Sequence, residues 1–290
     1  MDAHTEAALN EDGRRERMAL SALSAPAVLL VGVILVLPVG WLFWLSFPGP
    51  DGLTAVNYMR LYENDAYVRI FQTTFVLSLI VTVLAALLGY PLAYLLSQLP
   101  KRLAMIGLLV VLLPFWTSIL VRPYSWLVLL QRRGLVNRAL IDLGIINEPL
   151  SLIYNSAGVV IGMLHIMLPF MVLPLYAAMK SVDPMLMRAA MSLGATRRHA
   201  FFTIFAPLTL PGLFAGSLLI FIYCLGFYIT PQILGGGRVN LVSMKILENA
   251  TVYSDWGAAS ALGVVLLAIT LVIFKIVQKI LPAERLMGRA

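Results

Sequence analysis

The chain has 290 residues, of which 60% are hydrophobic and 12% are charged, with a formal net charge of +7. Soluble proteins are about 25% charged, so this composition excludes a soluble globular domain and predicts a protein embedded in a lipid bilayer. The basic residues are spread along the chain and form no single soluble face, which argues against nucleic acid as a partner.

Six long stretches of the sequence contain no Asp, Glu, Lys or Arg: 18–50, 70–100, 103–121, 149–179, 199–237 and 256–274. Each exceeds the ~18 residues that a membrane-spanning helix requires. Backbone polar groups in lipid must be hydrogen-bonded within the segment, so each stretch predicts a helix and not an open strand. The sequence therefore predicts an all-α polytopic membrane protein with six transmembrane helices.

The domain boundaries follow from the same pattern. Residues 1–18 are polar and charge-mixed and are expected to form a mobile cytoplasmic tail, and 282–290 a second cytoplasmic tail. The six-helix membrane domain is expected to cover 19–281, with a cytoplasmic loop at 181–206. The first span, about Ala19–Phe47, is too long for a secretory signal peptide, so we interpret it as a retained helix.

Prolines and glycines punctuate the next two spans. Span two is predicted over about Arg69–Leu99 with a kink at Gly89-Tyr-Pro91. Span three is predicted over about Leu103–Leu130, with a break near Arg122, because Pro123 disfavours helical geometry at the residue before it.

The loop after span three is predicted to contain an amphipathic helix along the outer membrane surface, with Asn137, Arg138 and Asp142 on its polar face. The last three spans are predicted at about Ala157–Met179, Pro207–Ile233 and Ala258–Ile280. Pairs of glycines four residues apart, at 158 and 162 and at 212 and 216, predict close helix packing in spans four and five.

The distribution of Lys and Arg predicts the orientation. A model with both termini in the cytoplasm places 13 of the 21 basic residues inside, as the positive-inside rule requires. The loop between spans three and four weakens this bias, since it contains Arg132, Arg133 and Arg138.

Residues for catalysis or cofactor binding are not evident. The sequence has no Walker A pattern, no His-Glu-x-x-His motif and one cysteine, Cys224, so we expect this chain to bind neither ATP nor a metal. His165 lies alone in an apolar span, where a packed, hydrogen-bonded role is expected over a catalytic one. The chain is therefore predicted not to be an enzyme.

The loop between spans four and five has the features of a docking element. Asp183 and Pro184 are a good helix start, and Gly194 permits a sharp turn between a first short helix and a second one over about Ala195–Phe205. Ala189 and Ala190 keep the exposed face shallow, while Phe201, Phe202 and Ile204 are predicted to fill a hydrophobic groove of a partner. The alternative is an amphipathic connector resting on the bilayer, with Arg197 and Arg198 on anionic lipid.

The same loop resembles the "EAA" loop of the membrane-spanning subunits of bacterial ABC importers. The spacing of Ala189, Ala190, Gly194, Ile204 and Pro207 matches that pattern. Arg188 replaces the usual Glu, and Ala206 the usual Leu. The resemblance implies ATPase-coupling roles for Arg188, Ala189, Ala190, Gly194, Ala195, Arg197, Arg198, Phe201, Ile204 and Pro207.

The wider chain, about 55–275, resembles the spermidine/putrescine-type permease family, through segments such as Gly89-Tyr-Pro-Leu-Ala-Tyr94, Pro114-Phe-Trp-Thr-Ser118 and Thr230-Pro-Gln-Ile-Leu-Gly235. This resemblance implies a type I ABC importer fold in the bacterial inner membrane and transport of a small polar, polyamine-like solute. It also implies three partners: a second permease subunit, a cytosolic ATPase dimer that uses ATP and Mg²⁺, and an external substrate-binding protein.

The solute path is less evident. Arg122 is the one charge placed within the depth of the membrane, which makes it a candidate for function, and it is flanked by Trp116, Tyr124 and Trp126. A cationic solute would prefer carboxylates and aromatic faces, for which Asp255, Tyr223 and Tyr228 are candidates. Arg122 has an alternative role, snorkelling to the outer headgroups beside aromatic residues. It also suits a cationic solute poorly. An ATP-independent secondary transporter or channel is the alternative function, and it predicts charged or broken helices at mid-bilayer.

Overall fold

A computed structural model describes residues 3–49 and 52–280. Its helices are α1 (Ala3–Leu45), α2 (Val56–Glu63), α3 (Asp65–Gln98), α4 (Lys101–Trp116), α5 (Val121–Leu130), α6 (Leu135–Asp142), α7 (Ser156–Ser181), α8 (Pro184–Ser192), α9 (Arg197–Ala200), α10 (Ala206–Leu225), α11 (Ile229–Gly235), α12 (Val242–Thr251) and α13 (Trp256–Ile280). A π-helical turn, Phe201–Phe205, joins α9 to α10. Strands β1 (Pro48–Gly49) and β2 (Gly52–Leu53) form a short antiparallel ribbon.

Among the described residues, five helices are long and apolar enough to cross a membrane: Leu23–Leu45, α3, α7, Arg197–Leu225 and α13. A sixth crossing is available if α4 and the segment Val121–Asp142, which are bent by 98° at their junction, are one broken span. The all-α prediction is confirmed, and the predicted count of six holds with the bent pair as one span.

The core of the bundle is α7, packed between α3 and α10. Its Met163, Met167, Met171 and Leu175 are all fully buried. α7 also contacts α4, α5 and α11. This helix therefore joins both parts of the bent span and the helix beside Tyr228 to the core.

Close contact between α7 and its neighbours depends on glycines. A Cβ atom added at Gly212 of α10 would lie 2.7 Å from the Pro174 carbonyl oxygen of α7, and one at Gly216 would lie 3.0 Å from the Met171 sulfur. The predicted close packing at these two glycines is confirmed. Gly162 instead faces Leu234 of α11.

Gly158 does not pack against another helix. A Cβ there would meet the carbonyl oxygen of Leu152 in the preceding loop. The predicted helix-packing role of Gly158 was therefore wrong, since the chain folds back on the first turn of α7.

Two predicted helix boundaries were also wrong. The part of the predicted N-terminal tail that the structure describes is helical and continuous with α1, which begins at Ala3. The third span breaks at 117–120, and Pro123 lies in the first turn of α5. Backbone N–H groups in the first turn of a helix have no partner within the helix, so the missing N–H of proline costs no hydrogen bond there. The predicted tail at 282–290 lies outside the described residues.

The fifth span ends earlier than predicted, at Leu225, and α11 is a separate helix. Pro231 lacks the N–H that would bond to the carbonyl of Phe227 in a continuous helix. The Ser243 hydroxyl donates to that carbonyl instead, at 2.7 Å. The interruption is therefore stable, because the carbonyl that the proline leaves free finds another donor.

The helix predicted after span three is present as α6, but Asn137 does not face solvent as predicted. It is fully buried. Its Nδ2 donates to the carbonyls of Gln131 and Leu150, each at 3.0 Å, and its Oδ1 accepts from Leu150 N at 2.8 Å. Asn137 thus ties the two ends of this loop together.

The glycine contacts predict that one methyl group at position 212 is enough to disturb the core. Gly212→Ala should destabilise the protein by about 1–3 kcal/mol, because backbone atoms of α7 must move. The control is Gly263→Ala in α13, where a Cβ meets nothing within 4 Å and helix propensity favours alanine. Apparent melting temperatures in detergent are the measurement. Equal melting temperatures for the two variants would contradict this account of the packing.

Candidate functional site

The loop at 181–206 begins with a well-formed helix. The Asp183 carboxylate accepts a hydrogen bond from Met185 N at 2.8 Å, and Pro184 occupies the first helical position of α8. Gly194 follows the helix with φ +92°, a conformation that residues with a Cβ rarely adopt. The predicted cap, first helix and glycine turn are confirmed.

The second half of the loop differs from the prediction. Residues 195–205 do not form a separate short helix, because α9, the π turn and α10 make one apolar helix over Arg197–Leu225. Pro207 has no N–H to bond to the carbonyl of Thr203. The helix widens at this point, and Ala206 N bonds to the Phe201 carbonyl five residues back. The second half of the loop is thus a continuous extension of the fifth span.

Aromatic contacts join this extension to α3. The Tyr94 ring meets Phe201 and Phe205 edge-on, with centroids 5.3 and 5.4 Å away. Nearby, the hydroxyls of Tyr90 and Thr209 are hydrogen-bonded at 2.9 Å. Phe201 was predicted to fill a partner's groove, but its packing on Tyr94 directs it into this chain.

Other apolar side chains project from the loop. Leu193 is 89% exposed and Phe202 is 63% exposed, and Met185, Leu186 and Met191 are also exposed. Sequence reasoning missed Leu193, Met185 and Leu186. Their signal was several large apolar residues in a short segment between two spans, which has no apolar core of its own to bury them.

The remaining predicted coupling residues lie on the same surface. Arg188, Ala189, Gly194, Arg197, Arg198 and Pro207 are exposed, and Ala190, Ala195 and Ile204 are half-buried. Contacts of α8 with α9 and with the π turn bring the two halves of the loop together, while Phe201 packs beneath them on Tyr94. The coupling role of these residues stays a prediction.

The predicted solute-path residues do not form one site. Trp126 donates from Nε1 to His165 Nδ1 at 3.1 Å, which joins α5 to α7. Arg122 donates to the Ser118 carbonyl at 3.4 Å, within the bend between α4 and α5. Trp116 and Tyr124 are exposed on the outside of the chain.

Tyr223 belongs to an aromatic group on the surface of the bundle, in which Tyr223 and Phe115 are both exposed. Its ring is stacked on Phe170 at 5.0 Å, and Phe170 in turn meets Phe115 at 5.0 Å. Phe115 and Phe170 were not among the predicted residues. The pairing was not recognisable from the sequence, because the three rings come from separate helices.

Asp255 is not an uncommitted carboxylate. It accepts a hydrogen bond from Ala258 N at 2.9 Å, as the cap of α13, and lies 3.5 Å from Arg60 Nη1. The carboxylate is therefore engaged within this chain by a helix cap and an exposed ion pair, and its role on a solute path stays a prediction. The partner Arg60 lies 195 residues away in the chain.

Tyr228 lines a cavity of about 640 Å³ between the start of α3 and helices α11 and α12. Its polar lining includes Asn64, Tyr67, Gln232, Asn240, Lys245 and Glu248. Lys245 and Glu248 are paired at 3.0 Å. This cavity lies at the opposite end of α3 from Tyr94, so it and the loop surface occupy the two ends of the bundle.

A family comparison places this arrangement among known proteins. Residues 65–285 match the family described as "binding-protein-dependent transport system inner membrane component". The chain belongs to this family. As a member with several membrane-length helices, it is a multi-pass protein of the bacterial inner membrane and a membrane component of a transport system.

Individual relatives agree. The chain is 35% identical over 260 residues to the spermidine/putrescine transport system permease protein PotB of Haemophilus influenzae, covering 87% of this chain and 89% of that protein. It is 35% identical over 211 residues to PotB of Escherichia coli strain K12, covering 72% of this chain and 76% of that protein. The predicted resemblance to polyamine-type permeases is confirmed.

Solved structures agree on the fold. A chain of a bacterial alginate ABC transporter, crystallised with its alginate-bound periplasmic protein, matches with a TM-score of 0.74 at 19% identity. The match covers 97% of this chain and 98% of that one. At this identity the likeness concerns the fold alone, and it confirms the predicted ABC importer permease fold.

Proposed function

We propose that this chain is the permease subunit of an ATP-driven, binding-protein-dependent importer for a small polar solute of the polyamine type. In this proposal a second permease completes the path, a cytosolic ATPase dimer binds ATP and Mg²⁺, and an external binding protein delivers the solute. The observation that carries the proposal is the coupling surface, defined as α8, the Gly194 turn and the exposed face of 195–207.

The coupling surface is suited to transmit movement. A partner that binds α8 acts on a short helix, which is joined through one glycine turn to a helix that runs without interruption into the core. Tyr94 and Tyr90 fasten the same region to α3. Because packed helices shift as units, a push on α8 is expected to move α10 and α3 together against α7.

The opposite end of the bundle offers a place for solute. The cavity beside Tyr228 combines aromatic faces with amide groups, and aromatic faces attract organic cations. The pairing of Glu248 with Lys245 leaves little net negative charge there, so a polyamine needs a further carboxylate. We propose that the second permease or the binding protein supplies it.

The orientation of this proposal has both termini in the cytoplasm and the coupling surface on the cytoplasmic side. In a Cys224→Ser background, a membrane-impermeant thiol reagent added from outside should label Asn147→Cys and spare Thr196→Cys. Both positions are exposed on the protein, so a difference in labelling reports the side of the membrane. Labelling of Thr196→Cys alone would reverse the topology and exclude the coupling role.

The Gly194 turn predicts that coupling fails when the backbone is strained. Gly194→Val should leave the spans inserted but release the ATPase or uncouple uptake from ATP hydrolysis, since a β-branched residue at φ +92° costs roughly 1–3 kcal/mol. A Cβ there meets no atom within 4 Å, so strain and not a clash is tested.

Gly194→Asn is the matched control, because Asn tolerates positive φ better than Val. Solute uptake and ATPase co-purification are the measurements. Uptake in Gly194→Val equal to that of the wild type, with the ATPase bound, would remove the coupling role from this turn. Uptake that persists without ATP in the wild type would favour a secondary transporter.

A further inference from the structure

A cavity of about 530 Å³ lies behind α8, between this helix and the ends of α3 and α7. Three cationic side chains line it: Lys180, Arg188 and Arg197. They come from the end of α7, from α8 and from the start of α9. No Asp or Glu is among the lining residues, so three separate elements bring positive charge to one concave surface.

These cations have no acidic partner within the part of the chain that the structure describes. The ion pairs there are Arg60 with Asp255 and Lys245 with Glu248. Between residues 149 and 247 the sequence contains one acid, Asp183, and its carboxylate caps α8 through Met185 N. Like charges around a concavity reinforce one another, so the cavity has a positive potential that attracts an anion.

The floor of the cavity is neutral and polar. The Ser97 hydroxyl donates to the Tyr94 carbonyl at 2.7 Å, and Gln98 Nε2 donates to the Ser97 hydroxyl at 3.1 Å. These groups satisfy one another. The hydrogen-bond donors available to an incoming anion are therefore those of the cationic side chains and not those of the floor.

We propose that this cavity receives a carboxylate side chain, Asp or Glu, from the cytosolic ATPase subunit, held by Arg188 and Arg197. The proposal rests on the proposed function. Arginine suits this role, because its planar guanidinium binds a carboxylate through two parallel hydrogen bonds. The coupling surface would then bind the ATPase through charge inside the cavity and through apolar contacts outside it.

The apolar surroundings favour a protein over a lipid headgroup as the source of the anion. Methionines at 179, 187 and 191 also line the cavity, and Leu193 projects beside it. Flexible methionine side chains are over-used at protein-binding surfaces. Arginine is among the residue types enriched at the hot spots of protein interfaces.

Two adjacent arginines provide a matched test. Arg197 lines the cavity and Arg198 does not, although both are exposed on the same helical turn. Each is changed to Glu, and Arg188 is changed to Glu in a third variant. The tagged ATPase subunit of the same transport system is co-expressed, and its recovery with each purified permease variant is measured over a series of salt concentrations.

Arg188→Glu and Arg197→Glu should each lower ATPase recovery by about tenfold or more relative to Arg198→Glu, because a carboxylate would then face a carboxylate. Arg197→Lys should restore most of the binding. Monodisperse elution of each permease variant shows that the fold is intact. Equal recovery with Arg197→Glu and Arg198→Glu would overturn the proposal.

An anionic lipid as the occupant gives a different result. ATPase binding by the wild type would then be lost in nanodiscs of phosphatidylcholine alone and restored by phosphatidylglycerol, and this outcome would also overturn the proposal. The proposed function is judged separately. If Gly194→Val loses the ATPase while all three Arg→Glu variants keep it, the coupling surface stands and the carboxylate site fails.

Discussion

The close packing of α7 against α10 positions the rest of the structure. Two glycines of α10 allow its backbone to approach Pro174 and Met171 of α7, and this approach leaves no room for one additional methyl group. Interiors packed at this density respond to force by discrete shifts of whole helices and not by local compression. The two ends of the bundle can therefore influence each other through the core. They are about 50 Å apart, which is the length of α3 at 1.5 Å per residue.

Prolines interrupt the helices at points where other groups compensate for the lost hydrogen bonds. Residues 226–228 separate α10 from α11, which contains Pro231. The Ser243 hydroxyl donates to the Phe227 carbonyl, which Pro231 cannot reach with an N–H. Pro207 does not break its helix, because a π turn absorbs the missing N–H. The break between α10 and α11 shapes the cavity beside Tyr228, whereas the π turn at the other end of α10 keeps the coupling surface continuous with this helix. Proline thus accompanies a break in the helix at one end of this span and a continuous helix at the other.

Local chemistry was predictable from the sequence. The uncharged stretches gave the spans, Asp183 and Pro184 gave the start of α8, and Gly194 gave the turn with positive φ, since each of these depends on neighbours within a few residues. The Gly212 and Gly216 contact was also predictable, because a four-residue spacing places both on one helical face.

Features that depend on distant parts of the chain were not predictable. Asp255 pairs with Arg60, and the burial of Asn137 depends on Leu150. The inward turn of Phe201 depends on Tyr94, a residue of another span. Arg188 and Arg197 were recognised as exposed cations of one loop, but the cavity that they share with Lys180 exists only after α7, α8 and α9 have packed. Tertiary packing therefore decided which candidate residues face a partner and which hold the fold together.

The coupling proposal requires that the coupling surface move α10 and α3 together, and the Tyr94 ring is a contact that joins these two helices. The most direct measurement is the amount of solute imported per ATP hydrolysed, in proteoliposomes containing the complete transporter and its binding protein, for Tyr94→Ala and for Tyr124→Ala as an exposed aromatic control. Two aromatic contacts of about 0.5–1.5 kcal/mol each are lost at Tyr94. The ratio should therefore fall well below the wild-type value in Tyr94→Ala, with the ATPase still bound, and stay at the wild-type value in Tyr124→Ala. A wild-type ratio in Tyr94→Ala would contradict the account.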